Sequence, residues 1–159
     1  MLSEFSHHKS QTSKRSTGGE QGFSLIELLV VILVIGILAA IAVPSFLSQK
    51  AKAFDSQAKE LARTAETTAE TIGAENNGSY ERVTTTELNK EEPTIRITAN
   101  TKEAYLSSAT KGVSSYAVTA KSANGDEFTI SRGTSGLVTR TCVSPVSKTG
   151  CDGGATSSW

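Results

Sequence analysis

A single carboxylate, Glu27, interrupts an apolar run that extends from Phe23 to Val43. A helix over those 21 residues would reach roughly 31 Å, about the thickness of one bilayer core. An ionised carboxylate at such a position costs a few kcal/mol unless something neutralises it. The residue pair just ahead of the run suggests what that partner is. Hydrolysis of the Gly22–Phe23 bond would free an α-amino group on Phe23, close in sequence to Glu27. That ammonium could neutralise the Glu27 of a neighbouring chain, so cleavage would switch assembly on. Two other readings of Gly22–Pro44 stand beside this one, an uncleaved transmembrane anchor and a secretory signal peptide cut after the Ala-Ile-Ala of positions 40–42. The apolar stretch is longer than the ~7–15 residues of a signal peptide, and neither alternative has a use for Glu27.

Elsewhere, residues suited to catalysis are scarce. The histidines are His7 and His8, both ahead of Gly22, so a chain cut at Gly22 keeps none for acid–base, triad or metal chemistry. The patterns Ser-Gln-Ala-Lys (56–59), Ser-Ala-Thr-Lys (108–111) and Lys-Thr-Gly (148–150) echo serine β-lactamase motifs. No Ser-Asp-Asn accompanies them and the chain is too short for that fold. Asp126 and Asp152 are two scattered carboxylates, fewer than a calcium site needs. Asn77-Gly78-Ser79 is both a glycosylation sequon and a turn signal. Arg132, Arg140 and Lys148 with Trp159 give the C-terminal quarter a faint resemblance to a nucleic-acid surface, and solvated surface charge is the stronger explanation. Cys142 and Cys151, with eight residues between them and no histidine nearby, read as a disulfide in an oxidising compartment. No cofactor, no metal and no enzymatic activity are expected.

Charge supports the same view. Residues 1–22 hold three of the 16 bases and two of the 16 acids, which leaves 13 against 14 and no general attraction to nucleic acid. Flanking bases do not orient the apolar run. Lys9, Lys14 and Arg15 lie on one side, and Lys50, Lys52, Lys59 and Arg63 on the other.

The elements that must carry Glu27 follow from periodicity. Residues 1–22 are polar, without apolar period, and read as a disordered leader. Beyond Pro44 the helical spacing continues through Leu47, Ala51, Phe54, Ala58, Leu61, Ala65, Ala69 and Ile72, a mean step of about 3.6 residues. Lys50, Asp55, Lys59, Arg63, Glu66 and Glu70 fall on the other faces. A helix from Phe23 to Ile72 would be roughly 75 Å long, more than a small head could cover, so its first half must be buried in lipid or in sister chains. Residues 74–93 read as a connecting loop. Strands are expected at 94–98, 116–122, 127–131 and 136–142, with Asn124-Gly125 turning a hairpin. The expected fold is α+β: a long N-terminal helix packed on a small antiparallel sheet occupying 94–141. A disulfide-bounded coil over 142–159 completes a head that spans 45–159.

The stretch from Gly22 to Pro44 resembles the signature of type IV pilins and the related pseudopilins. In that family a prepilin peptidase cuts after the glycine and N-methylates the new first residue, and a glutamate stands fifth in the product. The resemblance assigns those roles to Gly22, Phe23 and Glu27. It implies a helix packed on a four-stranded antiparallel sheet and, in many members, a C-terminal disulfide loop that Cys142 and Cys151 would match. It implies loss of helicity between Gly36 and Pro44 within the filament. It also implies a chain that begins as a single-pass inner-membrane precursor, with its leader in the cytoplasm and its head outside. The implied partners are copies of the chain in a homopolymer, prepilin peptidase, an assembly platform and minor pilins. The expected function is a subunit of a type IV pilus. The alternatives are a pseudopilin of a type II secretion or DNA-uptake machine and, from another class, a secreted or anchored binding domain. The leader is longer than in many members that begin with phenylalanine, and Ser24 replaces a common threonine.

Overall fold

The computed structural model describes residues 22–99, 101–144, 150–151 and 158–159, which fall in two compact units divided after Ala39. The leader over 1–21, Lys148 and Asp152 lie outside the described residues.

In the first unit, helix α1 (Leu25–Glu75) begins. Ser24 caps it, with its Oγ accepting from the Glu27 backbone N–H at 3.2 Å and its carbonyl accepting from Leu28 N–H at 3.2 Å. Ser24 and Glu27 have the Ser-x-x-Glu spacing of a capping box, and a carboxylate in the first turn suits the helix dipole. Every described residue of this unit is exposed.

In the second unit α1 continues unbroken through Pro44. Its buried face is Asp55, Ala58, Ala62, Ala65, Thr68, Ala69, Ile72 and Gly73. Burial therefore begins at Asp55 rather than at Leu47, which stays exposed. Small side chains line the face, so the sheet can come close. The helix ends at Glu75, three residues beyond the expected Ile72. Asn77 and Gly78 take left-handed φ values of 55° and 85°, and Gly78 N–H bonds the Gly73 carbonyl at 2.8 Å.

The connection expected over 74–93 contains a short helix, α2 (Thr85–Glu91). Thr84 caps it through the Glu87 N–H at 3.1 Å, and Leu88 is buried beneath it. The expected strand at 94–98 is irregular backbone. Ile95 is fully buried and Ile97 packs on the core, which produces the alternation seen in sequence. The backbone there bonds to Asn89 and Leu106 rather than to a ladder.

Four strands follow: β1 (Tyr105–Lys111), β2 (Tyr116–Lys121), β3 (Glu127–Arg132) and β4 (Val138–Val143). They pair antiparallel in the order β1-β2-β3-β4. The register sets Val118 against Ile130, Ala120 against Phe128, and Phe128 against Cys142. These residues share the inner face and join Ala58, Ala62, Ala65, Ala69 and Ile72 of α1 in one core. The β2–β3 hairpin turns at Asn124-Gly125, where Gly125 has φ of 92°. The fold class is therefore a long helix on a small four-stranded antiparallel sheet, with Cys142 and Cys151 joined as a disulfide.

Candidate functional site: the apolar N-terminal segment

Among the described residues, nothing covers the apolar segment that precedes the head in sequence. Phe23 is 85% exposed, and Leu25, Ile26, Leu28, Leu29 and the apolar residues that follow to Leu47 are all open to solvent. This helix is long and apolar enough to cross a membrane. Burying one such side chain is worth ~1.5–3 kcal/mol, so the run requires lipid or protein around it.

Within this surface Glu27 is exposed, and its backbone N–H is held by Ser24. That cap is made by the Ser24 hydroxyl and uses the backbone of position 27, not the Glu27 carboxylate. A Cβ added at Gly22 or at Gly36 would meet nothing within 4 Å. The chain's own packing thus demands glycine at neither position.

The head departs from the expected polar assignments in one place. Asp55, placed on a polar face by its spacing, is 1% exposed. Asn124 Nδ2 donates to Asp55 Oδ1 at 3.2 Å and to the Ala51 carbonyl at 2.7 Å. A Cβ on Gly150 would sit 2.8 Å from Asp55, so α1, the β2–β3 hairpin and the disulfide loop meet there. Trp159, expected in coil, packs edge-on against Phe128 with centroids 5.7 Å apart. Its Nε1–H donates to the Thr141 carbonyl at 2.9 Å, and Lys59 and Arg63 of α1 lie over its ring. That packing occupies the ring considered above for base stacking.

Glu70 gathers a further polar group. Tyr80 Oη donates to it at 2.7 Å, Tyr116 Oη at 2.9 Å and Arg132 Nη1 at 3.4 Å. Burial first, then the bond to anionic Glu70, raises the phenol pKa of Tyr116 and of Tyr80. Among the described residues no three of His, Cys, Asp and Glu cluster as metal ligands. Asp126 is buried and accepts from Ser144 Oγ at 2.8 Å. Ser56, from the Ser-x-x-Lys echo, donates to the Lys52 carbonyl inside α1.

Residues 18–43 match the family described as the prokaryotic N-terminal methylation motif. Over 39 residues, 24% of its length, the chain is 54% identical to the type IV major pilin protein PilA of Myxococcus xanthus. Also over 39 residues, it is 46% identical to the type II secretion system core protein G of Escherichia coli. The chain thus carries the N-terminal methylation motif and shares its first helical stretch with a type IV major pilin and a type II secretion core protein. The matches cover 18% of PilA and 27% of core protein G, so the pilin likeness resides in the motif and the start of α1. No solved structure matches the chain.

Proposed function

We propose that the chain is a pilin, cleaved between Gly22 and Phe23, N-methylated at Phe23 and polymerised through the first half of α1 into a surface filament. The observation that carries this reading is the fully exposed apolar helix with one carboxylate, Glu27, five residues after a glycine that packing does not require. Before assembly, lipid covers the helix. In the filament, sister helices cover it and the new Phe23 ammonium of one subunit neutralises Glu27 of another. Leaving such a carboxylate buried without its partner would cost about 3–5 kcal/mol per subunit. Loosening of the helix between Gly36 and Pro44 belongs to the assembled state, because glycine lowers helix propensity and proline removes a backbone donor. A shorter pseudopilus built from the same contacts is the second reading, favoured by the match to core protein G. Filament length in sheared material separates the two.

Glu27→Gln tests the charge pairing. Glutamine serves a capping box as well as glutamate does, so helix initiation survives while the charge is lost. The variant should be processed and inserted but yield no filaments by electron microscopy of sheared material. Wild-type filament yield from this variant would refute the pairing.

A further inference from the structure

The charges of α1 within the head are sorted along its length. In the middle most are met internally: Arg63 pairs with Glu60, Arg140 reaches Glu66 at 3.2 Å, Arg132 reaches Glu70 at 3.4 Å, and Lys59 lies over the Phe128 and Trp159 rings. At the near end Lys50 and Lys52 are exposed. Lys50 lies only over the Phe54 ring, and neither lysine has an ion pair among the described residues. At the far end Glu75 and Glu81 are exposed, again with no ion pair among the described residues, and Glu81 bonds only Ser79. Tyr80 packs against Gly73, near the end of α1, and Glu81 follows it in sequence. Lys111, on the edge strand β1, is an exposed base outside this pattern.

A second observation shows that the acidic end is not there for the helix. The last turn of α1 contains no base. Glu75 thus adds negative charge where the helix dipole is already negative, an arrangement that costs stability. Two carboxylates at the negative end of the helix dipole favour an approaching cation. The same chain presents two lysines with no paired acid among the described residues.

We infer that one of Lys50 and Lys52, which stand two residues apart and do not share a helix face, docks at the Glu75–Glu81 end of another copy, fixing the axial register of neighbouring subunits. This rests on the filament reading above and adds to it the contact that sets the stagger. Lys52 and Glu75 are 23 residues apart on one helix, roughly 35 Å at 1.5 Å per residue, so they cannot meet within a chain. A copy displaced along the helix by about that distance brings them together. Such a contact is heterologous, joining different patches on the two partners, and it propagates into an open helical array rather than a closed dimer. Apolar burial along α1 is non-directional and tolerates sliding, whereas complementary charges select one register.

The test is charge exchange in the full-length chain, with sheared filaments as the readout. Lys50→Glu with Lys52→Glu should abolish filaments, as should Glu75→Lys with Glu81→Lys, while each variant remains processed, membrane-inserted and as thermally stable as wild type. All four changes together should restore filaments. A zero-length carbodiimide cross-link on wild-type filaments should join Lys50 or Lys52 of one chain to Glu75 or Glu81 of another in peptide mass spectra. Normal filaments from either double variant would overturn the register contact while leaving the filament reading intact. Failure of the four-fold exchange to rescue would overturn it as well. If the lysine variant then also leaves the membrane fraction, anionic lipid headgroups are the partner of those lysines. Absence of both filaments and interchain links in the wild type would remove the filament reading and this contact together.

Discussion

Gly73→Ala should destabilise the head although it places a better helix former inside α1. In a helix interior alanine is worth about 1 kcal/mol over glycine, and on propensity alone the variant would be more stable. The structure opposes that gain. The new Cβ would lie 2.5 Å from Tyr80 Cε1, 2.9 Å from Cδ1 and 3.0 Å from Cζ, so the ring must move. Tyr80 is buried, bonded to Glu70 and set against Tyr116 with centroids 4.9 Å apart. Losing a hydrogen bond to a charged group costs ~1.5–3 kcal/mol, and losing an aromatic contact ~0.5–1.5 kcal/mol. After the propensity gain is subtracted, the net loss is about 2 kcal/mol, or roughly 8 °C in melting temperature for a head of this size. The assay is thermal unfolding of the full chain in detergent, followed by near-ultraviolet circular dichroism and by fluorescence of Trp159, the only tryptophan. An unchanged or raised melting temperature would refute the reasoning. In a Tyr80→Ala background the same substitution should become neutral or stabilising, because the obstructing ring is gone.

The raised tyrosine pKa values set a pH window. Folded Tyr116 holds its proton above the pH near 10 where an unfolded tyrosine releases it. The associated stability is therefore complete below about pH 10 and falls as pH rises beyond it, by about 1.4 kcal/mol per unit for this residue. Chemical denaturation at stepped alkaline pH, compared with Glu70→Gln, should show a shallower decline in the variant; identical slopes would exclude Glu70 as a cause. Replacing both Cys142 and Cys151 with serine should cost about 2–3 kcal/mol in the loop-entropy model. It should also shift Trp159 emission to longer wavelength, since β4 supports both Cys142 and the Thr141 carbonyl. An unshifted spectrum would show that Trp159 is held without the bridge.

What could be read in advance was local and periodic. Glu27 stood out because charge is expensive in an apolar run. The β2–β3 hairpin was legible because Tyr116, Val118 and Ala120 alternate toward Phe128 and Ile130 around Asn124-Gly125. Helix α2 carries a sequence signal, the Thr84-x-x-Glu87 capping box, within a stretch otherwise rich in polar residues. Strand β1 left almost none. Its Ser-Ser-Ala-Thr core has no apolar alternation, and it is a sheet edge with a register shift between Leu106 and Ser108. Ile95 and Ile97 imitate a strand because both face the core, yet that backbone joins no ladder. The buried Asp55 and the packed Trp159 depend on contacts with Asn124, Phe128 and Thr141, distant in sequence, and no helical or strand period encodes such pairs.

The central claim is that the apolar helix remains on the product after cleavage and builds a filament. Intact mass and N-terminal sequencing of the protein from sheared-surface and membrane fractions test it most directly. A chain beginning at N-methylated Phe23 in the sheared fraction is the predicted result, and the same terminus confined to membranes would point to a pseudopilin or a minor component. A product beginning at Val43, or an intact Met1, would contradict it.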